Sequence, residues 1–166
     1  MEQDYSTDTL TETIGVLTRR EVEARILIPL IDALGEKFGK EAVVEVIGNT
    51  IIRIAREQGR DLSETMGGKS SSHFMESLAF WTKNNALEIK INKQDDTTLS
   101  YDVTRCRYAE MYKALGAEDL GRVFSCNRDF ALIEGFNPDA GLTRETTIMQ
   151  GDSVCEFRYE FPLDKD

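Results

Sequence analysis

The spacing of apolar residues changes partway along this chain, and that change sets its fold class. Up to about residue 83 the apolar side chains recur at helical intervals, as in helices that pack on one face. From Ala86 to Lys93 the rhythm becomes alternation, with Leu87, Ile89 and Ile91 set against Glu88, Lys90 and Asn92. Successive side chains of a strand point to opposite faces, so this segment reads as a half-buried strand. Gln94-Asp95-Asp96 is a tight polar turn, and Leu99, Tyr101 and Val103 alternate beyond it. The two strands make a hairpin.

The helical half divides at its glycines. Residues 1–15, rich in Thr, Asp and Glu, have no apolar period and read as a mobile arm. Thr18-Arg19-Arg20-Glu21 has the form of a capping box, followed by Val22, Ile26, Leu30, Ala33 and Leu34 at helical spacing. Pro29 is expected to kink this helix and Gly39 to end it. A second helix is expected from Lys40 to about Leu62, on an apolar face of Val43, Val44, Ile47, Ile51, Ile54 and Ala55. After Gly67-Gly68, Phe74, Leu78 and Trp81 mark a third, from about Ser71 to Lys83.

Beyond the hairpin, helices are expected over Cys106–Leu115, Glu118–Phe124 and Asp129–Gly135, with a turn at Asn137-Pro138-Asp139. Strands Leu142–Gln150 and Ser153–Phe161 follow, joined at Gly151-Asp152, a two-residue hairpin signal. The sequence therefore predicts an α+β fold: three N-terminal helices, then an antiparallel four-stranded sheet of two hairpins with short helices between them. Residues 16–161 form one domain in this reading, and 162–166 a polar tail.

Composition narrows the function. A net charge of −10 argues against a nucleic-acid partner and against an anionic membrane surface, both of which need a positive face. No apolar run approaches the roughly 20 residues of a membrane span. The acidic start Met1-Glu2-Gln3-Asp4-Tyr5 is unlike a secretory leader, and three cysteines cannot all pair, which points to a reducing, cytoplasmic setting. Phosphate-loop, dinucleotide, zinc-protease and nucleophile-elbow motifs are absent, so no cofactor is expected. His73 with three cysteines is a possible zinc set, but the cysteines occur singly and no metal is expected.

The residues able to carry chemistry are concentrated in the last third. Each cysteine has an arginine close by in sequence: Arg105-Cys106-Arg107, Cys126-Asn127-Arg128-Asp129 and Cys155-Glu156-Phe157-Arg158. Cations lower a thiol's pKa, as does a helix N-terminus, where Cys106 is expected. Glu110, one turn on, could exchange a proton with it. In the polar stretch around Cys126, that residue could be nucleophile or ligand, Arg128 a carboxylate clamp, and Asp129 a base or an N-cap. Cys155 shares a strand face with Phe157 and Tyr159, and reads as core or as a pocket wall. His73, the single histidine, is either a surface residue or a contributor to the site.

Several stretches resemble the L-2-amino-thiazoline-4-carboxylate hydrolase family. They are Val103-Thr104-Arg105-Cys106-Arg107-Tyr108-Ala109-Glu110-Met111-Tyr112, Leu115-Gly116-Ala117-Glu118-Asp119-Leu120-Gly121, Ser125-Cys126-Asn127-Arg128-Asp129, Gly135-Phe136-Asn137-Pro138 and Cys155-Glu156-Phe157-Arg158-Tyr159. Glu23-Ala24-Arg25-Ile26 and Phe80-Trp81-Thr82-Lys83 extend the resemblance to about residues 14–161. It implies hydrolysis of a five-membered sulfur–nitrogen ring acid toward carbamoyl-cysteine. That chemistry needs a nucleophile or base, an acid and a cation for the carboxylate. The matching positions offer Cys126 or Cys106, Glu110 or Asp129, and Arg128 or Arg158, with Asn127, Cys155 and His73 as further lining. The family is also similar to 4-vinyl-reductase-type domains and transport-particle subunits, which implies a rival reading as a small-ligand-binding or scaffold module. The apolar first two helices fit a homodimer under either reading.

Overall fold

The computed structural model describes residues 10–163. Its first half is two long helices, α1 (Leu10–Phe38) and α2 (Lys40–Thr65), joined through Gly39 at φ 88°. Asp32 pairs with Lys40 near this turn (3.1 Å), and at the far end Arg128 reaches both Glu23 of α1 and Gln58 of α2. Helix α1 begins at Leu10, so the Thr18 capping box lies inside it and caps nothing. Residues 10–15 of the expected arm therefore belong to α1, while 1–9 lie outside the described residues. Its break in backbone angles falls at Gly15 (φ 77°), not at Pro29, which sits on the exposed side. Glycine adopts that angle without strain, whereas a proline facing water leaves little unsatisfied.

The expected third helix is split into α3 (Ser71–Ser77) and α4 (Ala79–Thr82), followed by a 3₁₀ turn at Lys83–Asn85. The sheet is β1 (Leu87–Gln94), β2 (Thr98–Cys106), β3 (Gly141–Thr143) and β4 (Cys155–Glu160), antiparallel throughout in the order β1-β2-β4-β3. Between the hairpins run α5 (Arg107–Ala114), α6 (Glu118–Gly121), a π-helical turn (Arg122–Cys126) and α7 (Arg128–Phe136).

The second hairpin differs from expectation in its turn. β3 pairs with β4 through Leu142 opposite Tyr159, across a connection formed by residues 144–154. Gly151 closes a short 3₁₀ turn, Ile148–Gln150, rather than a two-residue hairpin. The carboxylate of Asp152 explains this: it accepts from the Thr147 backbone N–H (2.8 Å) and ties the connection into a loop.

Two cores share the interior. Against the sheet, Phe74 meets Phe136 edge-on (ring centroids 5.0 Å apart), and Tyr101 stacks on Phe157 (4.9 Å). Between α1, α2 and α5, Ile31, Ile51, Tyr108 and Tyr112 make the second. Helices α2 and α7 cross backbone to backbone: a methyl on Gly59 would stand 2.1 Å from the Leu132 carbonyl, and one on Gly135 2.0 Å from that of Arg56. On the outside, Val22, Ile26, Leu30, Leu34 and Phe38 run along α1 at every fourth position, all exposed.

Candidate active site

The three cysteines arrive from three elements and line one cavity of about 80 Å³. Cys106 ends β2 and caps α5, its sulfur accepting from the Ala109 N–H (3.4 Å). Cys155 opens β4, and its sulfur accepts from Ile148 N–H at 3.2 Å. Cys126 closes the π-helical turn, which is held by the Asn127 N–H on the Arg122 carbonyl (2.9 Å). A π turn inserts one residue into a helix and re-aims the side chains after it, and such turns recur at functional sites. Here it brings Cys126, Arg128 and Asp129 to the cavity wall together.

Charge is built into that wall. Arg144, 5% exposed, pairs with Asp129 and donates to the Cys126 carbonyl at 3.0 Å. Its guanidinium lies over two rings, 5.1 Å from the centre of Phe130 and 5.0 Å from that of Phe157. Its Nε is buried with no hydrogen-bond partner, although a buried donor normally finds one. Arg128 donates to the Phe124 carbonyl (2.6 Å), to Gln58 and to Glu23, which also holds Arg20 at 2.7 Å. Asp129 does not cap α7: Asn127 holds the N-cap position, and Asp129 sits in the first turn with its carboxylate on Arg144.

Burial decides the protonation states. Desolvation pushes the Cys126 thiol up to about 12 and the nearby Asp129 adds to it, while Arg144 opposes. Burial likewise lifts Cys106 to about 11 and raises Cys155. Burial outweighs the lowering expected from neighbouring arginines, and Arg105 and Arg158 are engaged elsewhere, with Glu110 and with Asp102. Desolvation also raises Asp129 above the ordinary carboxylate range despite Arg144 beside it. At Glu23, burial alone would do the same, but Arg20 and Arg128 outweigh it and the carboxyl lies below its ordinary range. Arg128, desolvated and close to Arg20, falls to about 9.

Of the residues singled out from sequence, Cys106, Cys126, Cys155, Arg128 and Asp129 share the cavity. Glu110 does not: it is exposed and holds Arg105 at 2.8 Å on the rim of a separate groove. Arg158 faces away from the core and pairs with Asp102 (2.7 Å) and Glu156 (3.2 Å). Asn127 is half-buried and lies outside the cavity lining. His73 packs beside Gly68 with its Nδ1 2.6 Å from Ser70 Oγ, also off the cavity. Among the described residues, no group of three or more His, Cys, Asp or Glu is arranged to hold a metal ion. Sequence reading missed Arg144, Arg20 as a wall residue, and Met149. For Arg144 a signal existed: it alternates in phase with Leu142, so a charged residue fell on the buried face.

Comparison with known proteins adds a family and a fold. The profile described as L-2-amino-thiazoline-4-carboxylic acid hydrolase matches residues 19–159. No curated protein matches the chain significantly. Among solved structures, a trafficking protein particle complex subunit 3 from Naegleria fowleri, covalently bound to palmitic acid, superposes with a TM-score of 0.50 at 14% identity. The match covers 86% of this chain and 95% of that one, and at this identity it speaks to the fold alone.

Proposed function

The chain belongs to the L-2-amino-thiazoline-4-carboxylic acid hydrolase family, and from that premise we propose that it hydrolyses a C–N bond of a small cyclic, amidine-like carboxylic acid. The observation that carries this reading is the pairing of a raised carboxyl, Asp129, with a buried arginine that has a donor to spare, in one cavity. A carboxylate whose pKa is moved toward neutrality suits general acid–base work. In this reading Asp129 takes a proton from water, the water oxygen bonds to the amidine carbon, and the ring C–N bond breaks. The same carboxyl returns that proton to the leaving nitrogen and relays to it the remaining hydroxyl proton as the carbamoyl C=O forms. Arg144 Nε receives the substrate carboxylate. Cys106 and Cys126 stand as neutral thiols that shape the wall, since a thiol pushed to about 11 or 12 is almost wholly protonated near neutral pH.

The test is turnover of 2-amino-thiazoline-4-carboxylate by the purified protein, followed by loss of the ring and appearance of the carbamoyl product. Asp129→Asn should abolish it, and Cys126→Ala should retain it. A folded wild type without turnover, or an active Asp129→Asn, overturns the reading.

A second reading, a binding or scaffold module, is favoured by the exposed apolar stripe of α1. Patches of this kind mark interaction sites. The same stripe supports a homodimer through α1 and α2 under either reading. Among the described residues no helix is long and apolar enough to cross a membrane. With three free cysteines, a cytoplasmic setting fits both readings.

A further inference from the structure

A groove of about 820 Å³ lies outside the cavity, over the end of β2, α5, α6 and the Ile148–Gly151 turn. Groove and cavity share two wall residues, Cys106 and Met149. These two side chains therefore stand between the groove and the thiol-lined cavity.

The two differ in freedom. Cys106 is fixed by its place at the end of a paired strand and by its cap on α5. Met149 is carried by a single 3₁₀ turn, and its unbranched side chain has several rotatable bonds and repacks at little cost. Its sulfur lies in a slot that Gly121 leaves open: a methyl on Gly121 would stand 2.6 Å from Sδ and 2.9 Å from the Tyr112 ring. Tyr112 is fully buried and tied to Ser125 at 3.0 Å, so it forms a rigid back to that slot. Of the two, Met149 is the one not held in a paired strand.

The cavity by itself is small. At about 80 Å³ the cavity is far below the roughly 300–1,000 Å³ of small-molecule pockets. The groove supplies the missing room, and its lining carries both charge signs: Arg105 pairs with Glu110 at 2.8 Å and Lys113 lies 4.0 Å from Glu118, with Asp119 and Arg122 beside them. Mixed charge suits a small zwitterion, an amidinium with a carboxylate, better than a bare anion or an acyl chain.

We propose that the groove is the outer half of the ligand site and that Met149 is its gate, closing the passage to Cys126 and Asp129 and limiting the size of what enters. The identity of the ligand rests on the hydrolase reading above; the gate does not. The experiment is alkylation of each cysteine by N-ethylmaleimide, a neutral probe, resolved by peptide mass spectrometry on the full chain. Met149→Ala should speed labelling of Cys126 on the order of tenfold, and Met149→Phe should slow it, because access limits the rate of a buried thiol. Cys106, which opens onto the groove, should change much less. Met149→Leu keeps the volume and should match wild type, which controls for loss of fold together with the thermal melt of each variant. Unchanged Cys126 labelling in the folded Ala and Phe variants would overturn the gate, and so would acceleration by Phe. Labelling needs no turnover, so a gated protein that hydrolyses nothing sinks the function and leaves the gate standing.

Discussion

Arg20 and Ile26 lie within two turns of each other on α1, and each faces the side that its chemistry normally avoids. Arg20 is 5% exposed and lines the cavity, while Ile26 is 57% exposed in the outer apolar stripe. The inner charges are tolerated because they are paired: Arg20 and Arg128 share Glu23, and Asp129 holds Arg144. Burying an unpaired charge would be prohibitive. The outer stripe has no such compensation within the described residues. One end of the helix carries buried, paired charge, and the other an exposed apolar face.

The contrast can be broken hardest at its inner end. Asp129→Ala should cost about 3–5 kcal/mol in urea unfolding, because it leaves Arg144 buried without its counter-charge. Asp129→Asn, which keeps an acceptor, should cost less. No loss in either variant would mean that the inner charges are not an interdependent set. At the outer end, Leu30→Glu with Leu34→Glu should weaken self-association by about 2–4 kcal/mol in sedimentation, since a charge is forced into each apolar contact. A monomeric wild type would remove the homodimer and leave the stripe to another partner.

The crossing that holds the inner end comes next. Gly135→Ala should destabilise by about 1–3 kcal/mol, as overpacking does, with a fall in melting temperature. A smaller effect separates two carboxylates by sign. Glu23, below its ordinary range when folded, contributes stability above pH 4.5 that is lost as pH falls through its folded value. Asp129, raised when folded, contributes stability that is full below pH 3.8 and lost as pH rises through its folded value. Between pH 5 and pH 3, Glu23→Gln should therefore lose less stability than wild type and Asp129→Asn more. Equal slopes in urea melts at the two pH values would contradict the assignment. The gentlest test is kinetic: alkylation of Cys106 and Cys126 should climb about tenfold per pH unit from 7 to 10 without a plateau. A plateau near neutrality would restore a thiolate nucleophile.

The sequence carried the elements with strong periods. Helix α2 and the β1–β2 hairpin stand close to where their apolar spacing put them. It misjudged elements whose fate depends on a distant partner. Thr18 looked like a cap because the real opening, at Leu10, precedes any apolar rhythm. Gly151-Asp152 looked like a hairpin until Asp152 found the Thr147 amide. At the site, the thiols and Asp129 were legible as residue types, and their convergence on one cavity was not. That convergence depends on a π turn and a glycine crossing, which no local pattern announces. Arg105 and Arg158 neighbour the thiols in sequence, but their side chains are engaged elsewhere, with Glu110 and with Asp102.

The meeting of Gly59 and Gly135 divides the site into parts that can and cannot diversify. Where backbone rests on backbone there is no side chain to trim or swap, so α7 cannot slide or tilt without lifting off α2. Arg128 and Asp129, in the first turn of α7, are carried by the helix that this contact anchors. Residues 144–154 face them from a connection that is bound by no such crossing. New ligand preferences in this fold would be written in that connection, over helices that stay where they are.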